Sequence, residues 1–230
     1  MSKAHSKPVL NVFAKMWDRG PVKTRLAADI GESSAREWYR RVSELVWQQL
    51  ESPHFERWLW MVDEGSCKDG ANWLKGADQV FPQCGGSLGA RMFHALESAS
   101  KSGAPWCAIV GTDAPAVCAE MILEAGHLLE TGEDLALTPA LDGGYAMLAL
   151  RESHQELFEG VEWSTPKVLE QTISKAKTLN LNFSLLPPVQ DMDTKEDLAA
   201  LSCYFQKTGS GSQEQALLAF AVNKSCKPKG

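Results

Sequence analysis

The segment WCAIVGTD, residues 106–113, is an almost unbroken apolar run that ends in a polar tip. Such a run suits a central strand covered on both faces. Around it, short apolar runs alternate with longer stretches of helical periodicity, the signature of α/β layering rather than of a sandwich or bundle. PVLNVFAK reads as the first strand and is followed by a cationic loop. A helix is expected from about Ser34 to Leu50, with Trp38, Val42, Leu45 and Val46 at three-to-four spacing. RWLWMVDE and DQVFPQ read as the second and third strands, and SLGARMFHALESASK as a helix closed by Gly103. AEMILEAGHLLETG reads as a helix, and DLALTPA and YAMLAL as strands. Thr165 as a cap and Pro166 at the first helical position predict a helix through KVLEQTISKAK. FSLLPPV then gives a late strand and TKEDLAALSCYFQ a last core helix.

At 230 residues and 44% hydrophobic content the chain can bury one sizeable core, so a single domain is expected over residues 8–206. Residues 207–230 read as a Gly/Ser linker and tail, either a docked accessory helix or an appendage. The formal charge of −6 argues against nucleic acid and anionic membranes as partners. No apolar stretch approaches the roughly 20 residues of a membrane span, and the polar start predicts a soluble, unexported, cytoplasmic protein. Cys67, Cys84, Cys107, Cys118, Cys203 and Cys226 are scattered without a C-x-x-C pair, so neither a zinc site nor a disulfide framework is expected.

In open parallel sheets, ligands bind beyond the carboxyl ends of the strands, which directs attention to polar residues just after apolar runs. GPVKTRLA places Lys23 and Arg25 there, either as solvated surface charge or as a point charge and a planar fork for phosphate. Asp113 in VGTDAP reads either as a turn or helix-capping residue or as a site carboxylate. Asp142, Gly143 and Gly144 in PALDGGY give a hairpin signal, and the glycines also permit close backbone approach to a ligand. In QDMDTKEDL, a Thr194/Asp197 cap accounts for those two residues and leaves Asp193, close to Asp191, without a task. Asp113 and Asp193 suit Mg²⁺ or Mn²⁺, since such an ion takes one or two carboxylates and completes its shell with water and phosphate oxygens. Gly85, Gly86, Ser87 and Leu88 form a loop into a helix, with Ser87 as cap or with exposed amides for a base or anion.

The motifs PVKTRLA, GGSLGARM, VGTDAP, PALDGGYAMLAL, WSTPKVLEQT and DMDTKEDL occur in that order. Together they resemble the GT-A-fold nucleotide-diphospho-sugar transferase-like family of the radical-SAM/selenodomain-associated type, over roughly Pro8 to Phe205. That family is in turn similar to phospholactate guanylyltransferases. The resemblance implies a Rossmann-like three-layer sandwich with a mostly parallel central sheet, binding a nucleotide with a divalent metal. It implies phosphate contacts for Lys23 and Arg25 and metal ligation by Asp113 and Asp193. Gly85 to Leu88 would line the base, and Asp142 to Gly144 would face the sugar or acceptor.

Three functions follow as expectations. The first is a Mg²⁺-dependent glycosyltransferase-like enzyme, with a nucleotide-diphosphate sugar donor, a small-molecule acceptor and Asp142 as general base. The second is a nucleotidyltransferase that releases pyrophosphate from a nucleoside triphosphate through the same residues. The third is a non-catalytic nucleotide-binding module for a partner enzyme, with Trp58, Trp60 and Trp73 either exposed for docking or packed in the core. Trp163 either packs on a helix start or stacks on a sugar. The five histidines show no ligand spacing.

Overall fold

The computed structural model describes residues 7–190 together with Asp193, Thr194, Asp197, Leu198, Gln215, Leu217, Ala219 and Phe220. In chain order the elements are β1 (Val9–Ala14), α1 (Thr24–Ile30), α2 (Glu32–Gln49), β2 (Glu56–Met61), α3 (Cys67–Trp73), β3 (Gln79–Pro82), α4 (Leu88–Lys101) and β4 (Cys107–Val110). They continue with α5 (Ala119–Glu130), β5 (Leu135–Pro139), β6 (Tyr145–Leu150), α6 (Val168–Thr178) and β7 (Phe183–Leu185). The seven strands form one sheet in the order β3-β2-β1-β4-β6-β5-β7. All neighbours run parallel except β6, which is antiparallel to both β4 and β5.

The period-2 alternation of strand side chains builds the layers. Leu10 and Val12 of β1 and Ala108 and Val110 of β4 point to one face, where they pack with Trp38, Val42 and Val46 of α2 and Ile122 and Leu129 of α5. Val9, Cys107 and Ile109 point to the other, against Met92 and Leu96 of α4 and Ala176 of α6. Both faces are therefore covered by helices, and β4 is buried along its full length. Burying each such Val, Leu or Ile side chain stabilises the fold by roughly 1.5–3 kcal/mol. The expected three-layer α/β sandwich with a mostly parallel sheet is the architecture found, with one apolar cluster on each face of the sheet.

Four local readings are corrected. The segment after Lys23, expected as loop, is the short helix α1. Helix α3 has no counterpart among the elements expected from the sequence; within it Gly70 faces Met61 so closely that a Cβ would lie 2.5 Å from its sulfur. Helix α6 starts at Val168 with Lys167 as its N-cap, so Thr165 and Pro166 lie in the turn ahead of it. The late strand shortens to Phe183–Leu185. Ser87 does cap α4, accepting a hydrogen bond from the Ala90 amide at 3.2 Å, and Gly103 follows that helix with φ 93°.

Trp58 and Trp60 are core residues, 5% and 1% exposed, and Trp73 is half-buried with its Nε1 donating to Glu44. Leu217 is buried, and Phe220 stacks on Trp38 with ring centroids 5.9 Å apart. The four cysteines among the described residues are unpaired. Cys203, Cys226, His5, Asp191 and most of the expected last helix lie outside the described residues. Among the described residues, no helix is long and apolar enough to cross a membrane.

Candidate functional site

Strands β1 and β4 are neighbours with Val12 opposite Val110, so the segments that leave them run side by side beyond the carboxyl edge. The β1 segment reaches Lys23, which has left-handed backbone angles (φ 47°, ψ 54°) directly before α1. That conformation is uncommon outside glycine and persists where the surroundings over-determine it. The Lys23 side chain is 6% exposed, and its Nζ donates to Asp113 Oδ2 at 3.3 Å and to Asp193 Oδ1 at 2.5 Å. Burial alone would lower the pKa of this ammonium, but the Asp113 and Asp193 carboxylates outweigh it and hold the pKa well above the ordinary lysine value. Residues 23, 113 and 193, distant in sequence, thus meet at one point.

Each carboxylate is held by its own local device. Gly111 leaves room for Asp113, since a Cβ there would lie 2.7 Å from Asp113 Oδ1. Thr112, buried just before it, accepts from Ser43 Oγ at 3.0 Å and lies 3.3 Å from the Tyr39 hydroxyl, which also accepts from the Lys15 amide at 3.1 Å. Helix α2 therefore ties the ends of β1 and β4 together. The N-cap of α5 is Cys118, so Asp113 does not cap that helix. The Thr194/Asp197 cap forms reciprocally: Asp197 Oδ2 accepts from the Thr194 amide (2.7 Å) and hydroxyl (2.8 Å), and the Asp197 amide donates to Thr194 Oγ1 (3.3 Å). Asp197 Oδ2 also accepts from the Asp193 amide at 3.0 Å, which fixes the backbone and leaves the Asp193 carboxylate to Lys23.

Two cavities flank this point. A polar one of about 400 Å³ is lined by Lys15, Lys23, Arg25, Tyr39, Asp113, Ser164 and Asp193. A more apolar one of about 380 Å³ is lined by Phe13, Leu88, Met92, Ile109, Asp142, Gly144, Tyr145 and Trp163 together with Arg25, Asp113, Ser164 and Asp193. Both sizes lie in the range of small-ligand sites. Arg25 is exposed, and among the described residues no hydrogen bond or ion pair occupies its guanidinium. Asp142 does two things: its Oδ1 accepts from the Gly144 amide at 2.8 Å, closing the β5–β6 turn, and its side chain lines the apolar cavity. Burial pushes the Tyr145 phenol above its ordinary pKa, so this side chain stays protonated.

The other glycine-loop residues are distributed differently. Leu88 lines the apolar cavity and is 43% exposed, whereas Ser87 lines a separate hollow with Gly89, Phe158 and the far side of Trp163. Gly85, Gly86 and Gly143 line none of these cavities. Gly143, with φ 92°, packs against Pro166, where a Cβ would lie 2.2 Å from the carbonyl oxygen. Trp163 stacks on Phe158 and meets Tyr145 edge-on while reaching the apolar cavity. Sequence reasoning overlooked Tyr39, Gly111 and Ser164; only Gly111 carried a visible signal, a glycine between the β4 run and Asp113.

Residues 45–165 match the family model described as "Uncharacterized protein conserved in bacteria (DUF2064)". The chain belongs to this family. No curated protein matches it in sequence. Among solved structures it is similar to a candidate nucleotide-diphospho-sugar transferase from Desulfovibrio desulfuricans G20, with a TM-score of 0.88 and 28% identity over 96% of this chain and 97% of that one. It shares its fold with 4-diphosphocytidyl-2C-methyl-D-erythritol synthase from Anaerococcus prevotii (TM-score 0.56, 10% identity, 87% and 96% covered). It shares it also with a cytidylyltransferase from Leptospira borgpetersenii (TM-score 0.55, 14% identity, 95% and 94% covered). The expected resemblance to nucleotide-diphospho-sugar transferases, and the GT-A-like fold that goes with it, are therefore met in this family member.

Proposed function

We propose that this protein is a transferase that binds a nucleotide-diphosphate sugar together with Mg²⁺ or Mn²⁺ and passes the sugar to a small-molecule acceptor. One observation carries the reading: Asp113 and Asp193 converge on the Lys23 ammonium beside the unpaired Arg25, between two cavities beyond the β1 and β4 carboxyl ends. Among the described residues no cluster of three or more His, Cys, Asp or Glu side chains could hold a metal ion. Two convergent carboxylates nevertheless fit a hard divalent ion that draws its other ligands from water and phosphate oxygens. Asp113 and Asp193 would hold it, and a divalent ion there supplies charge neutralisation to the phosphates.

The chain's own residues do the rest. Arg25 forks onto oxygens of the diphosphate, and Lys23, already charged and buried, adds a second fixed cation as negative charge builds on the leaving group. Leu88 and Met92 offer apolar contact to the base, while Trp163 presents a ring edge to the sugar or acceptor. The Asp142 Oδ2, unlike Oδ1, has no bond in the turn, and in this reading it takes the acceptor proton.

A second reading, nucleotidyl transfer from a nucleoside triphosphate, is favoured by the three cations Lys15, Lys23 and Arg25 along one cavity. Of the three tryptophans expected either to dock a partner or to pack in the core, Trp58 and Trp60 are buried and Trp73 is half-buried. The test is product analysis after incubation with nucleotide-diphosphate sugars and with nucleoside triphosphates, in Mg²⁺ and in chelator. Metal-dependent release of a nucleoside diphosphate from a sugar nucleotide is expected. Release of pyrophosphate from a triphosphate instead would replace the first reading by the second.

A further inference from the structure

The two cavities have four residues in common: Arg25, Asp113, Asp193 and Ser164. Three are the charged groups of the proposed phosphate and metal site. The fourth is a neutral serine in the left-handed region, with φ 63°. A β-carbon makes that conformation costly, and such strain survives only where the neighbourhood enforces it.

The neighbourhood does enforce it. Glu162 receives a hydrogen bond at its carbonyl from Thr165 Oγ1 (2.7 Å) and donates its amide to Gln171 Oε1 (2.8 Å). Trp163 is clamped against Phe158, and the Pro166 backbone is wedged against Gly143. The Leu169 amide donates to the Gly143 carbonyl at 3.0 Å, locking the start of α6 to the β5–β6 turn. Each of these residues on either side of Ser164 is engaged with the protein. The exposed Ser164 hydroxyl has no partner among the described residues. A turn that needed only this backbone would be better served by glycine or asparagine.

Resting on the phosphate reading of the site, we propose that Ser164 is a phosphate-binding residue. Its hydroxyl donates a hydrogen bond to a phosphoryl oxygen held by the Arg25 guanidinium, beside the divalent ion that the two carboxylates would hold. The left-handed backbone is what turns the hydroxyl toward that junction instead of into the clamped turn.

The probe is inorganic pyrophosphate with Mg²⁺, titrated calorimetrically into the full chain and into Ser164→Gly and Ser164→Ala. Glycine removes the hydroxyl and relieves the backbone, so its thermal midpoint should equal or exceed that of the parent. Alanine removes the hydroxyl and keeps the β-carbon. Both variants should bind pyrophosphate about ten-fold more weakly, as loss of one hydrogen bond to a charged group does. Loss in the glycine variant alone would assign Ser164 a backbone role and overturn the inference, as would parental affinity in either variant. No pyrophosphate binding by the parent protein would overturn the phosphate reading and this inference with it.

Discussion

Asp63 and Asp113 lie just past the ends of β2 and β4, the two strands that flank β1 in the sheet, yet the protein uses them in opposite ways. Asp63 is spent on local structure: its Oδ1 accepts from the Ser66 amide at 2.9 Å, and both oxygens accept from the Ser66 hydroxyl at 3.0 Å. It thereby starts the turn Glu64–Ser66 that leads into α3. Asp113 caps nothing and turns instead to the buried ammonium of Lys23. The same division separates Asp197, consumed by the Thr194 cap, from Asp193. A carboxylate with both oxygens taken up by its own turn or cap, as in Asp63 and Asp197, belongs to the fold; one that gives a single oxygen to the Lys23 ammonium keeps the other open to a ligand.

The strongest way to break this division is to exchange the behaviour of the pair. Asp113→Asn should abolish metal-dependent nucleotide binding, a loss above about a hundred-fold or roughly 2.8 kcal/mol, while leaving the protein folded. Asp63→Asn should keep the binding. Calorimetric titration of both proteins checks this, and retained binding in the Asp113 variant would end the assignment. Lys23→Ala should weaken a nucleoside triphosphate by about ten-fold or more and the matching nucleoside hardly at all, since the lost contact is to phosphate. Equal losses for both ligands would place Lys23 away from the phosphates.

Smaller effects sharpen the other side of the comparison. Ser43→Ala removes the buried donor to Thr112 and should cost about 1–2 kcal/mol in urea unfolding. Asp63→Ala should cost about 1 kcal/mol as a lost cap, with ligand affinity intact. The smallest effect concerns an ordinary surface pair. The Arg40 guanidinium, hydrogen-bonded to Glu37, holds that carboxyl down to about 2 against an ordinary 4.5, with burial opposing the shift. A lowered pKa stabilises above the unfolded value and is lost as pH falls from about 4.5 toward 2. With Glu37 about a third exposed, Glu37→Gln should remove less than about 1 kcal/mol of that acid-side dependence.

Much of the fold was legible because its signals are local. The WCAIV run is β4, and the D-G pair before YAMLAL does close the antiparallel β5–β6 turn. What stayed hidden depends on contacts distant in sequence. Helices α1 and α3, seven residues each, are too short to show a period, and the packing of Gly70 on Met61 shows only in the fold. Lys23, Asp113 and Asp193 were each visible as residues following an apolar run, but their meeting on one ammonium is a property of the sheet order. Ser164 was invisible, because nothing in a serine's identity announces a left-handed backbone.

The central claim is that Asp113 and Asp193 make a divalent-ion and nucleotide-phosphate site. It is tested most directly by thermal unfolding of the parent protein and Asp113→Asn against nucleotide-diphosphate sugars and nucleoside triphosphates, each with and without Mg²⁺. A ligand at about a hundred times its dissociation constant adds roughly 2.7 kcal/mol to the folded state. The account predicts a raised midpoint for the parent only when metal and nucleotide are both present, and no rise for the variant. An equal rise in both proteins, or none in the parent with any ligand, would contradict it.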